Sequence, residues 1–126
     1  MKVTVVGLGP GAGRDLTERA RRALEEAELV IGYTAYIALI RDAFPQKEMR
    51  STGMRREADR CREAVKAAVE GRNVAAVCSG DAGFYGMAGL VYEVAQEYPP
   101  IDIEVVPGIT AASGGAALLG APLTHD

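Results

Sequence analysis

Apolar positions along this chain follow two rhythms that alternate. Uncharged runs at 3–6, 29–31 and 74–78 have the composition of strands buried on both faces of a sheet. Residues 101–106, Ile-Asp-Ile-Glu-Val-Val, alternate like a further strand. Between them the spacing turns helical. Leu16, Ala20, Ala23, Leu24 and Ala27 predict a helix over 17–28, with Asp15 or Thr17 as its cap. A second helix is predicted over 35–44, stopped at Pro45, and a weak edge strand over 47–50. A charged amphipathic helix spans 55–70, with Gly71 closing it at C′. Helices over 87–98 and 110–119 complete the series, the latter rich in Ala and Gly. Strand and helix alternate throughout, which predicts one α/β/α domain with a mainly parallel sheet of about five strands.

The loops after these strands carry the candidate chemistry. The run Val74–Cys78 breaks into Ser79-Gly80-Asp81-Ala82-Gly83-Phe84-Tyr85-Gly86. In an α/β sheet, ligands bind beyond the carboxyl ends of the strands. Asp81 stands there, where a carboxylate could accept hydrogen bonds from an amine or a ribose hydroxyl. It could equally cap the next helix. Gly7-Leu8-Gly9-Pro10-Gly11-Ala12 matches G-x-G-x-x-G/A after a strand. However, Pro10, Gly11 and Gly13 postpone the helix, and the second strand ends at Gly32-Tyr33-Thr34 with no ribose-binding acid. Both features argue against a nicotinamide or flavin site. The third loop is Val106-Pro107-Gly108-Ile109-Thr110-Ala111-Ala112, where Thr110 could cap a helix or meet a ligand. Three such loops would share one edge of a parallel sheet, which points to a binding site more strongly than any one alone.

Composition narrows the class. The chain has 126 residues, 48% hydrophobic and 25% charged, with a formal net charge of −3. That is ordinary for a globular domain and gives no electrostatic reason to expect nucleic acid or an anionic membrane as partner. No run approaches a membrane span, so a cytoplasmic setting is the default. Cys61 and Cys78 lack metal or disulfide spacing and read as reduced packing residues. No metal-binding cluster or Ser/His/Asp set stands out. The charges of Arg55-Arg56-Glu57, Asp59-Arg60 and Arg62-Glu63 read as a solvated helix face. Tyr33 and Tyr36 read as half-buried packing residues whose hydroxyls could reach a polar substrate.

Taken together and in order, Val-Gly-Leu-Gly-Pro-Gly at 6–11, Ser-Gly-Asp at 79–81 and Val-Pro-Gly-Ile-Thr-Ala-Ala at 106–112 resemble the tetrapyrrole (corrin/porphyrin) methylase family. Residues 31–36, 78–88 and 122–126 look most like its branch that methylates C-17 of a corrinoid precursor, with ring contraction, in cobalamin biosynthesis. The resemblance implies S-adenosylmethionine as methyl donor, held in a cleft between two α/β domains. Its contacts would be Pro10, Ser79, Gly80, Asp81, Phe84, Thr110 and Ala111, with Phe84 as an apolar wall. The catalytic base stays open. Tyr33 is the candidate, although relatives acting on earlier porphyrinoids carry an acid there. Residues 1–120 would form the donor-binding N-terminal domain and 121–126 the start of a linker to a second domain. The chain alone would then transfer little or no methyl. The resemblance further implies a corrinoid substrate and a homodimer or self-association. The competing reading is a non-catalytic α/β module that binds a nucleotide or a partner, and an oxidoreductase ranks third.

Overall fold

A computed structural model of the chain describes residues 1–11 and 13–125. Ala12, the last position of the glycine-motif match, and Asp126, the last residue of the expected linker segment, lie outside the described residues. Strands β1 (Lys2–Gly7), β2 (Leu29–Tyr33), β3 (Glu48–Thr52), β4 (Asn73–Cys78) and β5 (Asp102–Val106) form one sheet in the order β3-β2-β4-β1-β5. Every pairing is parallel. The expected class therefore holds.

The period-two alternation of the strands feeds two separate cores. Val3, Val5, Leu29, Ile31, Val74, Ala76 and Cys78 pack on one face with helices α3 (Glu57–Val69) and α4 (Ala88–Ala95). Val6, Val30, Ala75 and Val77 pack on the other with α1 (Glu18–Glu26) and α2 (Thr34–Ile40). Burial of each Val, Leu or Ile among them is worth roughly 1.5–3 kcal/mol. Connections running out towards β3 use the α1/α2 face, and those running back towards β5 use the α3/α4 face, as right-handed crossovers require. The direction of winding thus reverses at the β1/β4 pair. α5 (Ala111–Leu119) follows β5 and contributes no buried residue.

Local signals set the element ends. The Thr17 hydroxyl accepts the Ala20 N–H at 3.0 Å and caps α1, one of the two caps the sequence allowed. Gly71, at φ 102°, ends α3 in a Schellman motif: its N–H donates to Ala68 and that of Arg72 to Ala67. The predicted helix over 35–44 is α-helical only to Ile40 and finishes as a 3₁₀ turn at Arg41–Ala43. The strand expected to end at Gly32 runs on to Tyr33. Gly32 is needed inside the sheet, because a Cβ there would lie 2.5 Å from the Val77 side chain.

Arg60 requires a correction. It was expected on a solvated face, yet it is 4% exposed and shares the inner side of α3 with Cys61, Ala64 and Ala67.

Both cysteines are buried and free. Burial pushes the Cys61 thiol from 9.0 up to about 11 and raises Cys78 as well. The unfolded chain releases these protons first, so this contribution to stability is complete below pH 9.0 and lost as the pH climbs towards 11. Denaturant titrations should therefore show stability falling across that window, and less steeply in Cys61→Ala. Fast labelling of either thiol by a maleimide at pH 8 without denaturant would contradict the burial.

Candidate binding site at the carboxyl edge of the sheet

The reversal of winding at β1 and β4 opens the sheet edge where loops leave in opposite directions, the usual place for a ligand in such folds. Here the loops are drawn together backbone to backbone. Gly9 and Gly80 exchange two hydrogen bonds, N–H to carbonyl, at 3.0 and 2.9 Å. Leu8 N–H donates to the Cys78 carbonyl at 2.9 Å. Gly108, after β5, closes the group. A Cβ on Gly108 would lie 2.3 Å from the Gly80 carbonyl oxygen and 2.6 Å from that of Gly7. A Cβ on Gly7 would meet the same Gly80 oxygen at 2.7 Å. No side chain fits between these three segments.

Asp81 fastens the contact. Its Oδ1 accepts the Gly108 N–H at 3.0 Å and its Oδ2 the Gly83 N–H at 2.8 Å. The second bond is an Asx turn within the loop, and the first joins the β4 loop to the β5 loop. Asp81 does not cap α4, which begins at Ala88 after Met87. A backbone hydrogen bond to a charged group is worth about 1.5–3 kcal/mol. The carboxylate is half-buried and retains lone pairs beyond the two it uses.

Most of the expected contact residues converge here. The Gly80 site lies against Thr110 and Ala111, since a Cβ on Gly80 would be 3.6 Å from the Thr110 Cα and 3.5 Å from the Ala111 N. Pro10 reaches the same place, 3.8 Å from a Cβ built on Gly114. Thr110 occupies the N-cap of α5, but its side chain makes no capping bond, so the capping alternative fails. Ser79 and Ala111 are exposed. Phe84 is 66% exposed in the loop, its ring turned to solvent. The helix postponed by Pro10 and Gly11 begins only at Glu18, with Gly9 and Gly11 at positive φ.

Tyr33 lies beside this group rather than in it. It lines a neighbouring cleft of about 180 Å³ with Tyr36, Glu57, Arg60, Ser79 and Tyr85. Its ring meets Tyr36 edge-on at 5.2 Å, and the Arg60 guanidinium carbon stands 5.8 Å from its centroid. Arg60 is the site residue missed in the sequence. Its signal was the spacing with Ala64 and Ala67, which puts it on the apolar side of α3.

A family model described as Tetrapyrrole (Corrin/Porphyrin) Methylases matches residues 2–126. The chain belongs to that family. It is 46% identical over 125 residues to the probable cobalt-factor III C(17)-methyltransferase of Salmonella typhimurium, covering 98% of this chain and 52% of that protein. The crystal structure of the methyltransferase CobJ superposes with a TM-score of 0.89 at 41% identity, covering 98% of this chain and 53% of that one. The Thermus thermophilus uroporphyrin-III C-methyltransferase complexed with S-adenosyl homocysteine gives 0.75 at 28% identity, covering 100% and 54%. The chain thus spans about half the length of the relatives it matches.

The crowding at Gly108 can be checked directly. Gly108→Ala should lower stability by about 1–3 kcal/mol, read as a drop in Tm. Gly115→Ala on α5, where nothing lies within 4 Å, should be neutral or stabilising by up to ~1 kcal/mol. Equal effects of the two would contradict the close contact.

Proposed function

We propose that this chain forms the S-adenosylmethionine-binding half of a methyltransferase of cobalamin biosynthesis that methylates C-17 of a corrinoid precursor with ring contraction. The observation that carries the reading is the convergence of the three family loops on one sheet edge, in a chain 46% identical to a relative named for that reaction. The residues fit the donor. Asp81 offers a carboxylate with lone pairs to spare to a donor that carries an amine and ribose hydroxyls. Ser79 is exposed and the Thr110 hydroxyl makes no capping bond, both beside the Gly80 contact. Pro10, Phe84 and Ala111 supply small or apolar surface.

S-adenosylmethionine supplies an electrophilic methyl on a sulfonium. A nucleophilic ring carbon of the substrate forms the new C–C bond as the S–CH3 bond breaks, leaving S-adenosylhomocysteine. The protein's part is to orient donor and ring carbon and to exclude water, which is where much of the rate arises. Tyr33 is the candidate group for the proton lost from the ring. Residues 1–120 act as one domain and 121–126 lead towards a second, which would form the other wall of the cleft. The chain alone would then be a poor catalyst. A homodimer in the cytoplasm is the setting this reading favours; no described helix is long and apolar enough to cross a membrane.

Calorimetric titration tests the reading. S-adenosylhomocysteine should bind the chain and raise its Tm. Asp81→Ala should weaken binding about tenfold or more, the worth of one charge-assisted hydrogen bond. Pro10→Phe should weaken it by crowding. Unchanged affinity in both variants would remove the donor from this edge.

A further inference from the structure

The guanidinium of Arg60 is held by one corner only. Its Nη1 donates to the Thr52 Oγ1 at 2.6 Å and to the Gly53 carbonyl at 3.1 Å, both at the carboxyl end of β3. Its Nη2 stands 3.7 Å from Glu57 Oε1, beyond hydrogen-bond distance. Its Nε is buried and has no partner. Buried donors are almost always satisfied, so an unpartnered one needs an explanation. The two under-used nitrogens, Nε and Nη2, form one edge of the guanidinium, the fork that grips a carboxylate with two parallel bonds.

Three further features surround that edge. The cleft that Arg60 lines, about 180 Å³, has the volume of about six waters at ~30 Å³ each. That admits a carboxylate on a short chain and is too small for a macrocycle. Tyr85, on its rim, is fully exposed and sits at φ 56°, a strained conformation for a residue with a side chain. Ser79 lines both this cleft and the loop bearing Asp81, so the two sites adjoin.

We propose that the Nε–Nη2 edge of Arg60 binds a side-chain carboxylate of the tetrapyrrole substrate, displacing Glu57, while the ring lies outside the cleft against Tyr85. This deepens the function proposed above and rests on it. Arg60 then sets the rotation of the ring relative to the donor, and so which ring carbon meets the methyl. The amino-acid carboxylate of the donor is the other source of the same chemistry, and the experiment separates the two.

The test is fluorescence titration of the chain with uroporphyrin as free acid and as methyl ester, beside calorimetry with S-adenosylhomocysteine. Arg60→Gln should weaken binding of the free acid about tenfold or more. It should leave the ester and S-adenosylhomocysteine unchanged. Because Arg60 is buried, Glu57→Gln provides a variant on an exposed residue; it removes the competing acid and should tighten free-acid binding about twofold to fivefold. Loss of S-adenosylhomocysteine binding in Arg60→Gln, with porphyrin binding intact, would assign the edge to the donor and overturn the proposal. Free-acid affinity unchanged in both variants would also overturn it, with the functional reading still standing if the wild type binds both ligands. A wild-type chain that binds neither ligand would overturn both.

Discussion

Three glycines in van der Waals contact, at the ends of β1, β4 and β5, hold the functional edge of this molecule together. A Cβ on Gly7 or Gly108 would come within 2.8 Å of another loop's backbone, so the segments are placed by main-chain packing, with little freedom to drift. The Gly9–Gly80 bridge and the Asp81–Gly108 hydrogen bond add direction to that contact. The site is preorganised in consequence: Ser79, Thr110 and Ala111 are carried by loops that cannot move independently. Asp81 joins structure to chemistry, since the half-buried carboxylate that ties two loops keeps lone pairs beyond the two it uses.

The same edge extends sideways through the segment 79–87. It leaves the glycine contact at Gly80, turns on Asp81, and returns over Gly86. A Cβ on Gly86 would lie 2.3 Å from the Ala82 carbonyl oxygen. Tyr85 stands at positive φ next to it. One short loop therefore presents a polar face towards Thr110 and an aromatic rim towards Arg60 and Tyr33. Two ligands whose reacting atoms must meet would find their subsites linked by a few residues of rigid backbone.

Much of this was legible in the sequence because it depends on local rules. Continuous apolar runs marked three of the five strands and an alternating run a fourth, and 3.6-residue spacing marked α1 and α3. Thr17 and Gly71 signalled the start of one and the end of the other. Chain order then placed three loops on one edge, since strands that alternate with helices run parallel. What escaped depends on tertiary contacts. The role of Asp81 rests on a partner 27 residues away, so a cap and a cross-loop tie look alike in sequence. Gly32 reads as a strand end, and only the Val77 side chain opposite shows why the strand continues. Arg60 sits amid Arg and Glu and reads as surface. Its burial goes with the acceptors that Thr52 and Gly53 supply at the end of β3.

A rival hollow of about 250 Å³ lies near the opposite end of the sheet, lined by Lys2, Arg19, Glu26, Asn73 and Glu104. Amide chemical-shift mapping of the labelled chain with S-adenosylhomocysteine separates the two edges in one experiment. The largest shifts should fall on Gly9, Gly80, Asp81, Gly108 and Ala111, with Lys2, Asn73 and Glu104 unmoved. Shifts concentrated on Lys2, Arg19, Asn73 and Glu104, with the three glycine loops silent, would contradict a binding site built on the glycine contact.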